Sequence, residues 1–156
     1  MKTTPQLAGI ARETPAQPNQ RKTKPMKTLI VEDDFTSRLL LQELLKRHGT
    51  CHTAVNGNEA VLAARIAREA NAPYDLICLD IMMPEKDGQT ALREIRAHEE
   101  ARGILSNRGS KIVMTTAMSQ LDDVSKAFSA LCDGYLVKPI DGQNLLGELR
   151  KLELIA

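Results

Sequence analysis

The sequence has few aromatic residues and few cysteines. Two Phe, two Tyr and no Trp among 156 residues leave the filling of any core to aliphatic side chains. The three cysteines, Cys51, Cys78 and Cys132, form no C-x-x-C pair, so neither a zinc site nor a disulfide framework is indicated. We expect three reduced thiols. The three histidines lack metal-ligand spacing and are expected at helix ends or on the surface.

Long apolar runs are also missing. No stretch approaches the roughly 18 apolar residues of a membrane span. Residues 1–25 have no apolar segment typical of a signal peptide. These absences predict a cytoplasmic protein without membrane contact. The net charge of +1 divides into +4 for residues 1–25 and −3 for the remainder. A mildly acidic body does not support nucleic-acid binding, so we expect no direct DNA binding.

Residues 1–25 differ in composition from the rest of the chain. They hold four of the seven prolines and almost no large apolar side chains. This composition predicts a flexible basic tail. Met26 directly precedes the first predicted strand and could equally be the true start, in which case the tail is an artefact. The whole chain is 42% hydrophobic and 26% charged, an ordinary composition for a folded protein. Residues 26–156 are expected to form one folded domain.

Short apolar runs alternate with stretches of helical periodicity beyond the tail. Predicted strands are residues 28–31, 51–55, 76–79, 111–115 and 135–137, and predicted helices are 35–47, 59–70, 89–101, 120–131 and 142–152. The alternation predicts an α/β fold with a parallel sheet. We expect a flavodoxin-like, doubly wound (βα)5 arrangement with strand order 2-1-3-4-5.

Four of the five predicted strands end in polar residues, whereas the second ends in none with obvious chemistry. The residues are Glu32, Asp33 and Asp34 after the first strand, Asp80 after the third, Thr116 after the fourth, and Lys138 with Pro139 after the fifth. In an open parallel sheet, ligands bind beyond the carboxyl ends of the strands at the switch point. The first and third strands are neighbours in the expected order, so their carboxylates should meet there.

Such a group of residues is suited to one kind of chemistry. Carboxylates in one cleft repel each other and raise each other's pKa, and a hard divalent cation relieves this. Mg²⁺ binds through one or two carboxylates together with a phosphate. Lys138 and Thr116 would suit the remaining phosphoryl oxygens, and Asp80 could itself be the nucleophile. Taken singly, each residue has an ordinary explanation, and Asp34 is expected to be a helix N-cap.

The segments "LIVEDD", "LICLDIMMPEKDG", "MTTA" and "YLVKPI" resemble the receiver domain of bacterial response regulators. The resemblance extends over residues 27–154. It implies that Asp80 accepts a phosphoryl group from a phosphohistidine on a sensor histidine kinase or a histidine phosphotransfer protein. It further implies roles for other residues. Mg²⁺ would be held by Glu32, Asp33, Asp80 and the backbone carbonyl of Met82. The phosphoryl and switch residues would be Thr116, Lys138 and Tyr135. The loop after Asp80 would be shaped by Pro84, Asp87 and Gly88, and the peptide between Lys138 and Pro139 would be cis.

The resemblance also implies a mechanism. Phosphorylation draws in Lys138 and the Thr116 hydroxyl, Tyr135 turns inward, and the face of the fourth helix, fifth strand and fifth helix changes for a downstream protein effector. Such a protein catalyses only its own phosphorylation and dephosphorylation and is not a conventional enzyme. It would be a monomer or a phosphorylation-dependent dimer. Charged residues assigned to the dimer face are Asp123, Lys126, Asp133, Arg150 and Lys151.

Two features depart from the family pattern. Residues 97–110 are longer than usual, which predicts a tolerated loop insertion, a longer third helix or a partner contact opposite the site. Met82 and Met118 lie two positions past Asp80 and Thr116, where the family tunes attack of water on the phosphoaspartate. Apolar side chains cannot orient a water, so we expect slow self-dephosphorylation.

We expect no effector domain beyond Ala156, so a stand-alone receiver that switches partner binding is the expected function. Two alternatives stay open: a phosphorelay intermediate that passes its phosphoryl group to a histidine phosphotransfer protein, and an adaptor independent of phosphorylation. A phosphatase of the haloacid-dehalogenase type is disfavoured, because Asp80 is followed by Ile81 and Met82 rather than by the D-x-D of that family.

Overall fold

The computed structural model describes residues 24–105 and 107–156, and in them five strands alternate with five helices. The strands are β1 (Met26–Val31), β2 (Gly49–Ala54), β3 (Leu76–Asp80), β4 (Lys111–Ala117) and β5 (Gly134–Lys138). The helices are α1 (Phe35–Leu45), α2 (Gly57–Glu69), α3 (Gly88–Ala101), α4 (Leu121–Phe128) and α5 (Gly142–Lys151). Residues 1–23, most of the predicted tail, lie outside the described residues.

The helices begin where side-chain caps are available. Asp34, Asn56, Asp87 and Asp141 each accept a backbone N–H of the first helical turn, which satisfies donors that have no partner within the helix. The predicted N-cap role of Asp34 is thereby confirmed. Helix α4 has no such cap and is shorter than predicted: a 3₁₀ turn at Met118–Gln120 precedes it, and it ends at Phe128, three residues before the predicted end. None of the helices in the described ranges is long and apolar enough to cross a membrane.

The sheet is parallel with strand order β2-β1-β3-β4-β5, as predicted. The switch point of the sheet is at β1, because β2 lies on one side of β1 and β3, the next strand in the chain, lies on its other side. The register pairs Val31 with Leu79. Glu32 and Asp80 follow these two residues directly, so the register brings the two acidic positions side by side.

Side chains on alternate faces of the sheet form two apolar clusters. Leu29 and Val31 of β1 pack with Ile77 and Leu79 of β3 toward α2, α3 and α4. The intervening residues, such as Ile30, pack toward α1 and α5. Both faces are therefore buried, which explains the continuous apolar runs in the sequence. The three cysteines are free thiols, and burial raises the pKa of Cys78 to about 12.

A buried polar network occupies the edge of the sheet opposite the carboxyl ends of the strands. Arg96 donates to Glu99 Oε1 at 2.7 Å, to the Ser110 carbonyl at 2.8 Å and to Asp133 Oδ2 at 2.9 Å. Glu99 also pairs with Arg68 of α2 at 2.8 Å. Asp133, assigned from the sequence to the α4–α5 face, faces this network instead. The reason is that it precedes β5 and accepts from the backbone of Ile112 on β4.

The long segment at residues 97–110 divides between two structures. Residues up to Ala101 extend α3, and the remainder forms a loop back to β4. Glu99 anchors the end of this loop by accepting the Ser110 backbone N–H at 2.8 Å. Gly109 lies so close that a Cβ there would be 2.2 Å from Glu99 Oε2. The segment thus combines a longer third helix with a loop fixed at its base.

Candidate functional site

Three carboxylates converge at the carboxyl ends of β1 and β3. One oxygen from each of Glu32, Asp33 and Asp80 can be chosen so that all lie within 4.8 Å of one another. Glu32 and Asp80 are only 1% and 3% exposed, whereas Asp33 is exposed. The sequence therefore predicted correctly which acidic residues meet, because the strand order makes β1 and β3 neighbours.

Lys138 at the end of β5 is the cation that faces these acids. Its Nζ lies 2.9 Å from Glu32 Oε2 and 3.1 Å from Asp80 Oδ1. Glu32 Oε2 is buried, and the Lys138 ammonium is its partner among the described residues. The peptide between Lys138 and Pro139 is cis, as predicted. One ammonium opposite three carboxylates leaves the cleft with an excess of negative charge.

Burial and crowding alter the titration of this cluster. Burial, together with the charge of Asp80, raises the pKa of Glu32 to about 7, although Lys138 opposes the shift. For Lys138, burial alone would lower the pKa, but the two facing carboxylates outweigh it and raise the pKa above its usual value. Three convergent carboxylates offer hard oxygen donors and outnumber the single ammonium that faces them, an arrangement suited to a small divalent cation such as Mg²⁺.

The titration of Glu32 predicts a stabilising substitution. The pKa of Glu32 is higher in the folded protein than in the unfolded chain, so ionisation of Glu32 destabilises the fold. This loss of folding free energy is absent below pH 4.5 and reaches its full size above about pH 7. Glu32→Gln should therefore raise the free energy of unfolding of the metal-free protein at pH 8 by roughly 1–3 kcal/mol. Urea denaturation at pH 8 and 4.5 measures the effect.

The comparison of the two pH values is decisive for this prediction. The advantage of Glu32→Gln should shrink toward pH 4.5, where wild-type Glu32 carries a proton in both states. Glu100→Gln on the exposed side of α3 is the control and should be neutral throughout. A Gln variant less stable than wild type at pH 8 would contradict the prediction.

The loop after Asp80 is held in contact with the Asp80 side chain. The backbone N–H of Met82 donates to Asp80 Oδ1 at 3.3 Å, and Gly88 donates to the Ile81 carbonyl at 3.0 Å. A Cβ on Gly88 would lie 2.1 Å from the Asp80 carbonyl oxygen, so this position requires glycine. Asp87 caps α3 through the Thr90 N–H at 2.7 Å. Pro84 is an exposed residue of the same loop.

Thr116 and Tyr135 occupy the neighbouring strands. Thr116 is buried at the end of β4, and its hydroxyl donates to the adjacent Ala117 carbonyl at 3.1 Å. Tyr135 of β5 is half-buried against the apolar cluster, and its hydroxyl is enclosed without a hydrogen-bond partner in the described part of the chain. Burial raises the pKa of this phenol well above its usual value. Neither hydroxyl makes a strong bond that would have to be broken before it moved.

One residue near the site was missed from the sequence. Arg38 in the first turn of α1 donates from Nη1 to the carbonyls of Glu32 and Asp33, at 2.9 and 3.3 Å. These bonds fix the backbone that carries the acidic pair. The sequence does place a cation one turn into the helix that follows the acidic pair, which could have indicated a role at the site. Charged residues in that position are, however, common on solvated helix faces.

The comparisons with known proteins agree on one family for this chain. The model of the response regulator receiver domain matches residues 28–150. The transcriptional regulatory protein ResD of Bacillus subtilis is 34% identical over 131 residues, which are 83% of this chain and 49% of ResD. Hybrid signal transduction histidine kinase G of Dictyostelium discoideum is 38% identical over 126 residues, 79% of this chain but 3% of the kinase. The chain thus spans half or less of the length of these relatives.

Solved structures with similar folds include one receiver domain with a bound metal ion and one in complex with a partner protein. The receiver domain of sensor histidine kinase PA1611 from Pseudomonas aeruginosa, with a magnesium ion in its active-site cleft, is 27% identical with a TM-score of 0.66. The match covers 83% of this chain and 99% of that one. The receiver domain of Ssk1 from Saccharomyces cerevisiae, in complex with the phosphotransfer protein Ypd1, is 29% identical with a TM-score of 0.69, covering 81% and 88%.

Proposed function

This chain belongs to the response regulator receiver domain family of two-component signalling, and from that membership we propose that Asp80 accepts a phosphoryl group from a phosphohistidine and thereby switches the binding of a partner protein. The observation that carries the proposal is the position of Asp80: it is buried, within 4.8 Å of two further carboxylates and 3.1 Å from a lysine. We propose that this occurs in the cytoplasm.

The proposed metal site consists of Glu32, Asp33, Asp80 and the backbone carbonyl of Met82. The convergence of three carboxylates within 4.8 Å and the mutual repulsion that raises the pKa of Glu32 support Mg²⁺ there. When bound, Mg²⁺ neutralises charge on the carboxylates and on the phosphoryl oxygens. Met82 suits its assignment because its backbone N–H already holds it against Asp80.

The proposed transfer needs one bond to form and one to break. A carboxylate oxygen of Asp80 attacks the phosphorus of a phosphohistidine that is protonated on its other ring nitrogen, and the P–N bond breaks with its electron pair going to nitrogen, so that a neutral imidazole leaves. Lys138, now shared between Glu32 and Asp80, would pair with a phosphoryl oxygen after transfer. No proton has to be removed from Asp80, because its carboxylate is the attacking form.

The proposed switch uses the two weakly held hydroxyl groups. The Thr116 hydroxyl can leave the Ala117 carbonyl for a phosphoryl oxygen at little cost, since charge-assisted bonds are the stronger kind. Among the described residues, the Tyr135 hydroxyl has no hydrogen bond to an oxygen or nitrogen that would hold it in its present position. Movement of Thr116 and Tyr135 would alter the face formed by α4, β5 and α5, where a downstream effector would bind.

A protein donor must reach Asp80 from the open side of the cleft. The side chains around that opening include exposed apolar groups, with Met82 at 64%, Met118 at 74% and Phe35 at 67% exposure. Leu39 and Leu40 continue the exposed apolar surface along α1. Apolar groups around a charged cleft are suited to a protein partner. This surface supports a histidine phosphotransfer protein as an alternative partner, as Ypd1 is for Ssk1 in their complex.

The proposal is tested by intact-mass measurement after incubation with acetyl phosphate, with and without Mg²⁺. A gain of one phosphoryl group that requires Mg²⁺ supports the function. Absence of any gain, also with a panel of phosphorylated histidine phosphotransfer proteins, would leave an adaptor independent of phosphorylation. Return of the phosphoryl group from this protein to an unphosphorylated phosphotransfer protein would favour a relay intermediate over a terminal switch.

The phosphorylated state is expected to be long-lived. Hydrolysis requires an oriented water, and the exposed side chains of Met82 and Met118, two positions past Asp80 and Thr116, offer no polar group to hold one. We expect a phosphoryl lifetime on the order of minutes or more. The measurement is the decay of the phosphorylated mass after removal of the donor.

Substitution at the two methionines provides the control for this lifetime. Met82→Asn combined with Met118→Glu supplies polar groups that can hold a water and should shorten the lifetime. Met82→Leu combined with Met118→Leu should leave it unchanged. A wild-type lifetime of a few seconds would contradict the prediction.

A further inference from the structure

The loop between β3 and α3 is attached to the rest of the molecule at a point remote from the phosphoacceptor. Its base is closed by the bond from Gly88 to the Ile81 carbonyl. Its tip, at Lys86, contacts the start of α2, which follows the second strand. That strand ends in no residue with chemistry of its own, so the sequence offers no reason to connect it with the site.

The contact at the tip is made by backbone atoms. Gly57, the first residue of α2, donates its N–H to the Lys86 carbonyl at 3.1 Å. The first N–H groups of a helix have no partner within the helix, so this bond satisfies a donor that needs one. A Cβ on Gly57 would lie 2.4 Å from the Lys86 carbonyl oxygen and 2.8 Å from its Cγ. Any larger side chain at Gly57 must therefore displace the loop.

The side chain of Lys86 provides a second attachment. Its ammonium pairs with Glu94 on α3. The Lys86 side chain is 22% exposed and that of Glu94 43% exposed, so the pair lies at the border of the surface. The preceding residue, Glu85, has a φ of 65°, a left-handed conformation that is unfavourable for a residue with a Cβ. Attachments on both sides of Lys86 maintain this turn.

We propose that Gly57 and Lys86 are positioning residues for the phosphoacceptor loop, and that they fix the Met82 carbonyl for its role as a metal ligand. The inference rests on the proposed function, because it requires a cation at Asp80. Released from Gly57 and Glu94, the loop would retain the three carboxylates in place but leave the Met82 carbonyl free to move. Cation affinity would fall although no ligand had been changed.

The experiment compares Mg²⁺ affinity, by titration calorimetry, in wild type and four variants. Gly57→Ala should raise the Kd about tenfold, as expected for loss of a group that orients a metal ligand. Lys86→Met should raise it about two- to fivefold, since it removes only a partly exposed ion pair. Lys86→Glu with Glu94→Lys should restore the wild-type Kd. Gly147→Ala is the control, because nothing lies within 4 Å of a Cβ there.

A second readout does not depend on metal. In the metal-free protein, hydrogen exchange of the Gly57 amide should be protected in wild type and at least partly lost in Lys86→Met. Circular dichroism establishes that each variant is folded, and Lys86→Met tests the inference if Gly57→Ala does not fold.

The outcomes separate this inference from the proposed function. Unchanged Kd in folded Lys86→Met, or failure of the charge-reversed pair to restore it, would overturn the positioning role while Mg²⁺ binding by wild type stands. Wild-type protein that binds no Mg²⁺ would overturn both. In that case the exchange of the Gly57 amide would still show whether the loop is attached.

Discussion

Asp80→Asn is expected to abolish phosphoryl uptake, with the rate from acetyl phosphate falling by more than about 1,000-fold. An amide oxygen is a far weaker nucleophile than a carboxylate, and the other carboxylates of the cleft, Glu32 and Asp33, follow β1 rather than lying on β3, the strand that ends in Asp80. The substitution removes one charge and almost no volume. Intact mass after incubation with acetyl phosphate and Mg²⁺ measures the loss.

Asp34→Asn is the matched control for Asp80→Asn. Asp34 is an exposed neighbour of the acidic pair whose side chain caps α1 through the Ser37 N–H at 2.8 Å. Asn is an equally good N-cap, so fold and uptake should both remain. The Asp80 variant should itself be as stable as wild type or more so, because it relieves repulsion with Glu32. Mg²⁺-dependent uptake that persists in folded Asp80→Asn would refute the assignment.

Arg96→Leu is expected to lower the free energy of unfolding by roughly 3–5 kcal/mol. The buried guanidinium of Arg96 binds two carboxylates and two carbonyls, those of Glu99, Asp133, Ser110 and Leu131. Removal of one partner from a buried ion network leaves the others desolvated and unpaired. Glu99 would retain Arg68, but Asp133 and the two carbonyls would lose their side-chain donor.

Urea denaturation measures the effect of Arg96→Leu, with Arg65→Leu as the control. Arg65 is an exposed residue of α2 that makes a long ion pair with Glu69 at 4.0 Å, so its loss should cost less than about 0.5 kcal/mol. Phosphoryl uptake by folded Arg96→Leu should match wild type, since the network lies at the other edge of the sheet. A loss of stability below about 1 kcal/mol would show that water replaces the guanidinium.

The sequence was most informative where a strand reaches the edge of the sheet. A short apolar run that ends in a carboxylate identifies both a buried strand and the position of its polar tip, because the two features are adjacent in the chain. Asp80, the acidic pair at residues 32 and 33, and Lys138 were found in this way. Their meeting then followed from the strand order, which the alternation of strands and helices restricts to few possibilities.

Contacts between loops and between helices could not be predicted in the same way. Gly57 and Lys86 are 29 positions apart in the numbering and belong to two separate turns, and neither turn has a periodicity that reports on the other. Asp133 was assigned to the wrong face for a similar reason: the residue just before a strand can turn toward either side. Arg96 and Glu99 read as ordinary charged residues of an amphipathic helix.

The sequence alone determined the order of the elements, the buried strands and the polar residues at their ends, since each depends on residues that are neighbours in the chain. The tertiary structure decided which charges are buried together, how far burial raises the pKa of Glu32, and which turn contacts the loop after Asp80. Those properties depend on desolvation and on distances of a few ångströms between distant segments, and these come into existence only when the helices pack on the sheet.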